Sequence, residues 1–513
     1  MALLLGIDIG TSATKTLLCN AKGKVLATAS AEYPVHSPQP GWSEQDPNDW
    51  WRAVIRGVGD VCRKARVSPA KVTGVGLSGQ MHGSVFVDRA GQSLRPALLW
   101  NDQRTAAECE EIERLAGGRS RLIGMVNNVA LTGFTAPKIL WVRRHDPRVF
   151  ERTFKVLLPK DYIRLRLTGE YATEVSDAAG TLLLDVKARH WHRGLLGRLR
   201  INTDLLPPVH ESIVVSGRIH RAAAKATGLA AGTPVVGGAG DQPAGAVGNG
   251  IVRAGVVSAT MGTSGVVFAH SDKPVPNRQG NLQSFCHAVP GKWCVFGCML
   301  AAGGSFQWLR NTWYAEEVAA LRKARKDPGV IYSRLIKMAQ KAPAGSDGLF
   351  FLPYLTGERC PYPDPNARGA WIGLTSRHDQ AGMVRAVLEG ITFGMRDQIE
   401  IMRTDGLQIR EVRAGGGGAV SQWWRQLQAD IYDAPVTTIN TQEGAAYGAA
   451  LLAAVGTGVY ASVPEACDAC IRITDRREPT PALRKTYDAA YDQYRRLYPA
   501  LREEFQSIAA LGA

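Results

Sequence analysis

The chain opens on Leu3–Ile9, an apolar run broken only by Asp8 and closed by Gly10-Thr11-Ser12. A run without polar alternation predicts a strand buried on both faces, as in a sheet flanked by helices. Thr16–Cys19 returns from that turn, Ala21-Lys22-Gly23-Lys24 turns the chain again, and Val25–Ala29 follows. Residues 3–30 therefore predict a three-stranded meander. Trp50, Val54, Val58 and Val61 then recur at helical spacing, so Asp49–Lys64 predicts a helix shortly after Asp46-Pro47. Val72–Leu77 and Val85–Asp88 read as strands and Arg104–Leu115 as a helix. Strands alternating with helices predict an α/β protein.

A fainter copy of the opening begins near residue 255. Val256–Met261 is apolar, Gly262-Thr263-Ser264-Gly265 turns, and Val266-Val267-Phe268-Ala269 returns. The first copy carries Asp8 two residues before its glycine; the second carries Thr260 there. One frame repeated roughly 250 residues apart predicts two halves of related architecture with different roles. The boundary is expected near Ala246–Arg253. Met383–Arg403 and Ser421–Ile431 predict helices, and Pro481–Phe505 predicts a charged C-terminal helix.

At about 150 residues per domain, 513 residues allow two to four domains. With 45% hydrophobic and 21% charged residues, the composition excludes disorder, collagen or coiled coil as a description of the whole. The net charge of +15 favours anionic ligands such as nucleotides. Asp146, Glu151 and Asp161 interrupt the most basic stretch, Arg143–Arg166, and no zinc finger, basic zipper or RNA-binding aromatic motif occurs. Nucleic acid is therefore not an expected partner. Nine irregularly spaced cysteines, with Cys467–Cys470 the one C-x-x-C, form no disulfide or zinc framework. Met1–Leu5 lacks the basic flank of a secretory signal. Ala445–Val463 is uncharged but Ala/Gly-rich, which predicts a buried helix ending near Gly456 rather than a membrane span. These features predict a cytoplasmic protein with no membrane partner.

Three glycine-rich turns bear on chemistry. Gly10-Thr11-Ser12 offers backbone N–H groups and hydroxyls that can cradle phosphate oxygens, with Lys15 adding charge and Asp8 holding Mg²⁺ through water. The same residues also suit a plain hairpin turn. Gly262-Thr263-Ser264-Gly265 repeats the device, and two such cradles facing across a cleft are more specific than one. Gly415-Gly416-Gly417-Gly418 lies between a strand and a helix, where side-chain-free backbone lets a flat base approach, or forms a flexible loop. In Gly237-Gly238-Ala239-Gly240-Asp241-Gln242-Pro243, Asp241 reads either as a helix N-cap or as a general base for a substrate hydroxyl. Gly74–Gly79 fits G-x-G-x-x-G but is followed by a strand instead of opening a helix, so it is not a dinucleotide fingerprint. No P-loop is present. His190-Trp191-His192 lies in a basic stretch and reads as surface rather than a metal site.

Gly6–Ser12 (GIDIGTS), Gly41–Pro47 (GWSEQDP), Gly133–Trp141 (GFTAPKILW), Leu158–Tyr162 (LPKDY) and the two later glycine loops together resemble the FGGY carbohydrate kinases, from residue 3 to about residue 500. The resemblance implies two ribonuclease-H-like domains of the actin and hexokinase type, residues 1–248 and 249–513, with a cleft between them. Gly79-Gln80-Met81-His82-Gly83 and Leu99-Trp100-Asn101-Asp102 resemble the members that phosphorylate D-xylulose. The implied activity is ATP-dependent phosphorylation of D-xylulose at O5, with ATP and Mg²⁺ as cofactors. Asp241 aligns with the family's base and Asp8 with its second essential acid. Met81, His82, Gln80, Trp100, Asn101, Asp102 and Gln242 fall on the acceptor side. Thr11, Ser12, Lys15, Gly262, Thr263, Gly416 and Gly417 fall on the nucleotide side. The expected partners are D-xylulose and ATP, with a homodimer allowed. Gln242 stands where the D-xylulose-specific members usually carry Asn, so a ribulose or ribitol kinase stays open. Outside the enzymes, an actin-like ATP-binding switch needs the same loops but no sugar pocket.

Overall fold

The opening meander forms as its apolar runs predict, the first strand over the expected residues and the next two longer than the pattern alone indicates. The computed structural model describes residues 2–277 and 279–511; Met1, at the head of the apolar Met1–Leu5 stretch, residue 278 and residues 512–513 lie outside it. Strands β1 (Leu3–Ile9), β2 (Ala13–Asn20) and β3 (Val25–Glu32) are antiparallel neighbours, and β4 (Gly74–Gly79) joins β1 in parallel. With β5 (Val215–Arg218) and β6 (Pro234–Val236), the order is β5-β6-β4-β1-β2-β3, and Ala239–Gly240 also pairs with β4. Helix α1 (Pro47–Ala65) covers β2 and β3. The Asp46 carboxylate accepts from the Asn48 N–H at 2.9 Å and Pro47 occupies the first turn, which fixes where α1 starts. Trp50, Val54, Val58 and Val61 are fully buried, each contributing roughly 1.5–3 kcal/mol for smaller members of that set.

The second half repeats the sheet. Strands β7 (Gly255–Met261), β8 (Gly265–Ser271), β9 (Gln283–Cys286), β10 (Trp293–Met299), β11 (Ile409–Gly416), β12 (Val436–Ile439) and β13 (Ile473–Arg477) run in the order β9-β10-β8-β7-β11-β12-β13. Leaving out β9, this matches the first sheet strand for strand, including which neighbours are parallel. The Gly-Thr-Ser frame read in the sequence marks the same β-hairpin in both halves.

Helices α2 (Pro159–Thr168), α3 (Val175–Ala179) and α4 (Asp241–Gly248) belong to the first half. Helices α5 (Gly303–Trp313), α6 (Gln380–Thr404), α7 (Gln422–Tyr432), α8 (Gly444–Gly456) and α9 (Arg484–Leu511) belong to the second. The spans predicted for α6, α7 and α9 agree with these. One expected strand lies elsewhere. Val85–Val87 leaves the first sheet and pairs with Lys155–Leu157, because the chain turns sharply through His82, whose φ is 69°.

Helix α8 carries no charge and packs on β1, β4 and α4, so a helix of the second half covers the sheet of the first. No helix among the described residues is long and apolar enough to cross a membrane. The approach is close. A Cβ on Gly76 would lie 1.8 Å from the Ala449 carbonyl oxygen, and one on Gly448 would lie 1.8 Å from that of Ala244. Gly76→Val should destabilise the fold by about 3 kcal/mol or more, since neither backbone can yield without moving a buried helix. Denaturant unfolding measures this; a wild-type midpoint would mean that α8 lifts off the sheet freely.

Candidate active site

The β1–β2 hairpin is pinned through its carbonyls. Gly10 O accepts from the Tyr33 hydroxyl at 2.6 Å, Thr11 O from Gln45 Nε2 at 2.6 Å, and Ser12 O from the Tyr33 N–H at 3.2 Å. The Thr11 hydroxyl accepts from Trp100 Nε1 at 2.9 Å and donates to Gln80 Oε1 at 3.3 Å. Among the described residues neither the Thr11 nor the Ser12 N–H has an acceptor. A turn held by its carbonyls with free N–H groups is an anion cradle.

The β7–β8 hairpin is fixed differently. Gly262 O and Thr263 O accept from the Gly303 and Gly304 N–H groups, at 2.9 and 3.0 Å, at the start of α5. The positive end of α5 thus abuts the second loop. Beside it opens a cavity of about 670 Å³, lined by Thr263, Phe306, Tyr332, Ile336, Gly417 and Trp423 among others. Its size and mixed apolar lining suit a nucleoside. Gly416 is not among its lining residues. Gly416 has φ 67°, and a Cβ there would lie 2.3 Å from Met261 O, so this glycine serves strand contact. Gly417 lines the cavity and meets nothing closer than 3.7 Å.

Asp8 ends β1 beside Ser78 of β4. Asp241 is the first residue of α4; the N-cap is Gly240, so the carboxylate is not the cap that its position allowed. The Gln242 N–H and side-chain amide both donate to it. Burial, and next the charge of Asp8, push the Asp241 carboxyl up to about 7. Burial pushes Asp8 up to about 6 against the opposing pull of Ser78 and Lys15. Asp8 therefore lies close enough for its charge to act on Asp241. Asp8 Oδ1 is buried and unpartnered, which suits a carboxylate awaiting a cation.

His82 is held in the left-handed region by two donors to its carbonyl, Thr135 Oγ1 and Lys138 Nζ, each at 3.0 Å. Strain of this kind persists where the surroundings over-determine it. Its ring packs on Phe134 and on Phe285 of the second half, with centroids 4.6 and 5.9 Å away. Nδ1 lies 2.8 Å from Gly180 O. Burial lowers its pKa to about 3, so the ring is neutral. A neutral ring donating through Nδ1 leaves Nε2 as a hydrogen-bond acceptor. Met81 packs against Gly240, the residue before Asp241. The apolar wall, the imidazole and the carboxylate therefore share one corner.

Three sequence-derived assignments change. Asp102 has no exposed surface: Arg104 and the Ser43 N–H, the latter at 2.7 Å, occupy both its oxygens, so it braces the loop instead of contacting ligand. Gln80 is buried with its amide spent on Thr11, Gly10 and Gln45, so it holds the first cradle. Lys15 is 2.6 Å from Glu443, just before α8, and ties the first hairpin to the second half. Trp100 and Asn101 remain exposed beside the cradle. Sequence reading missed Lys138, Gly180 and Arg359. The last is half-buried, has no side-chain partner among the described residues, and carries its charge near His82 and Cys298. Lys138 was legible as a cation inside the apolar run Ala136–Trp141; Arg359 gave no such signal.

Residues 3–248 match the N-terminal domain of the FGGY family of carbohydrate kinases, and residues 257–457 match its C-terminal domain. The chain belongs to the FGGY family of carbohydrate kinases. This FGGY kinase is 37% identical to the xylulose kinase of Bacillus subtilis, over 97% of both chains. Among solved structures it resembles a ligand-bound xylulose kinase from Lactobacillus acidophilus, with a TM-score of 0.91, 28% identity and 99% and 100% of the two chains covered. A gluconate kinase from the same organism fits with a TM-score of 0.89 and 28% identity, covering 99% of each chain. The fold therefore leaves the acceptor open.

The raised acids carry a stability consequence. Their folded pKa values, about 6 and 7, lie above those of an unfolded carboxylate. The folded chain thus binds more protons, and stability falls as pH rises from roughly 4 to 7. Asp8→Asn and Asp241→Asn should each be more stable than wild type at pH 8 by roughly 1–3 kcal/mol, and equal to it near pH 4. Thermal unfolding at the two pH values measures this; equal stability at pH 8 would mean that both carboxylates are well hydrated.

Proposed function

We propose that this chain transfers the γ-phosphoryl group of ATP to O5 of D-xylulose, with Asp241 as general base. The observation that carries the reading is the corner formed by Asp241, Asp8, Met81 and neutral His82 beside two anion cradles. The xylulose kinase assignment of a relative matching nearly the whole chain supports the acceptor.

In this reading residues 1–248 hold the acceptor and 249–513 the nucleotide. Asp241 takes the proton of the O5 hydroxyl as that oxygen bonds to phosphorus and the bond from phosphorus to the departing ADP oxygen breaks. A carboxylate with a pKa near 7 is matched to that task at neutral pH. The Thr11 and Ser12 N–H groups and Thr263 meet the phosphate oxygens and stabilise the charge that spreads over them. Asp8 would hold Mg²⁺, which would supply positive charge to the phosphates. His82 Nε2 accepts from a sugar hydroxyl and Met81 gives the carbon chain an apolar wall. Gln242 orients Asp241 and reaches the acceptor side, while Trp100 and Asn101 border the mouth. Gly262 and Gly417 let the nucleotide approach backbone, and Gly416 keeps that loop on its sheet. The nucleoside cavity lies beside the second cradle.

Gln242 supports a second reading, a kinase for ribulose or ribitol. Its longer side chain sits on the base itself and shifts the space left for the acceptor.

ADP release with MgATP against D-xylulose, D-ribulose, L-ribulose, ribitol, gluconate and glycerol tests both. D-xylulose should lead in kcat/KM, and kcat/KM should rise with pH up to about 7 and then level, because the base works only when ionised. Asp241→Asn should lower kcat by roughly 10²–10⁴-fold in a folded protein. Preference for another sugar overturns the acceptor, and near-normal turnover by the folded variant overturns the base.

A further inference from the structure

Beneath the acceptor corner lies a cluster of charges with no solvent exposure. Lys160, Asp161 and Arg164 come from α2, and Glu174 and Asp177 from the start of α3. Lys160 Nζ is 2.7 Å from Asp161, 3.3 Å from Asp177 and 3.4 Å from Glu174. Arg164 pairs with Asp161 at 3.4 Å. Two cations thus meet three carboxylates, and burial holds the Asp177 carboxyl well above the usual range. Burying five ionisable groups is a poor route to stability, since apolar residues of like volume serve as well. Their directed bonds to the site are what an apolar core could not supply.

Those bonds reach both sides of the acceptor corner. Arg164 donates to Val236 O at 2.8 Å and to Gly237 O, which fixes the start of the turn leading to Asp241. Glu174 caps α3 by accepting from the Ser176 and Asp177 N–H groups at 2.7 and 2.9 Å. It also accepts from the Ser176 hydroxyl at 3.0 Å and from the Ser212 hydroxyl at 3.0 Å. The Ser176 hydroxyl in turn accepts from the Gly240 N–H at 3.2 Å, immediately before Asp241. At the other end of α3, Gly180 O is the partner of His82 Nδ1. One short helix therefore touches the base's turn through its first residues and the acceptor-side histidine through its last.

We propose that Ser176, seated on the Lys160–Asp161–Arg164–Glu174–Asp177 cluster, is a positioning residue that holds Asp241 and His82 in register on the same bound acceptor. This rests on the acceptor-side reading of Asp241 and His82. The cluster sets where α3 lies, and the Ser176 hydroxyl transmits that position to Gly240. Removing the hydroxyl frees the Gly240 N–H and lets the Asp241 turn shift relative to His82. Displacement on the scale of 1 Å at a reacting centre costs about 10²-fold in rate. Among the described residues, the cavity proposed for the nucleotide, in the other half, has no bond to this cluster.

The test is steady-state kinetics of Ser176→Ala and Ser176→Thr with the sugar that the wild type accepts, alongside thermal unfolding. Ser176→Ala should lower kcat roughly 10- to 100-fold and raise the acceptor KM, while the KM for MgATP stays within about twofold. Ser176→Thr, which keeps the hydroxyl, should recover most of the loss. Unchanged kcat and acceptor KM in Ser176→Ala overturn the proposal, as do parallel losses for sugar and ATP that follow the folded fraction. A wild type with no sugar-dependent ADP release fells the functional reading instead. A sugar-dependent wild type with an indifferent Ser176→Ala removes this inference alone.

Discussion

Two carboxylates, one of which raises the proton affinity of the other, cannot be kept together in a cleft unless the rest of the fold holds them there. Asp8 stands at the end of β1 and Asp241 at the start of α4, and burial is the largest influence on both. Much of the architecture acts against their separation. The carbonyls of the first hairpin are tied to Tyr33 and Gln45, the Asp241 turn is gripped by Arg164, and α8 seals the sheet behind Asp8 through contacts that admit no Cβ. Burial, with the charge of Asp8 second, gives Asp241 a pKa suited to accepting a proton at neutral pH. Local instability and function have one origin here.

What could be read in the sequence was whatever local physics writes there. The apolar run of β1, the turn chemistry after Ile9, the helical spacing from Trp50 to Val61 and the second Gly-Thr-Ser frame all mark elements that the structure contains. Asp8 and Asp241 were legible as acids at strand and helix ends, and the family resemblance tied them to one reaction. Long-range pairings were not legible. Lys15 looked like a phosphate ligand because Glu443 is far along the chain. Asp102 looked like a sugar contact because nothing beside it shows that the distant Ser43 N–H joins Arg104 in occupying its oxygens. The uncharged segment of α8 was legible as buried, but not as a cover for the other half's sheet.

The acceptor side shows how polar groups are placed where hydrophobicity alone would give no orientation. His82 packs tilted against Phe134 and edge-on against Phe285, contributed by the two halves, which confines the ring without setting its rotation. Gly180 O fixes the rotation and the tautomer together, and burial keeps the ring from protonating at any pH where the base is active. The backbone strain at φ 69° is sustained by Thr135 and Lys138 on one carbonyl. An acceptor nitrogen of fixed direction is thereby presented to a hydroxyl-rich ligand, with Met81 supplying the contact that carries no direction at all.

The two halves share strand order but not chemistry, and the difference lies in one position of the repeated frame. Asp8 sits beside Ser78, whereas its counterpart Thr260 sits beside Gly415. A neutral hydroxyl there lets β11 run close enough for the glycine loop to lie on Met261, which a side chain at Gly416 would prevent. A second carboxylate at Thr260 would add negative charge beside the loop that must receive phosphate, with no proton to take. In the proposed reaction, the same charge in the first half would hold a cation and sit beside the base. The two copies of the frame thus differ in charge at one matching position, an acid beside Ser78 in the first and a neutral hydroxyl beside Gly415 in the second.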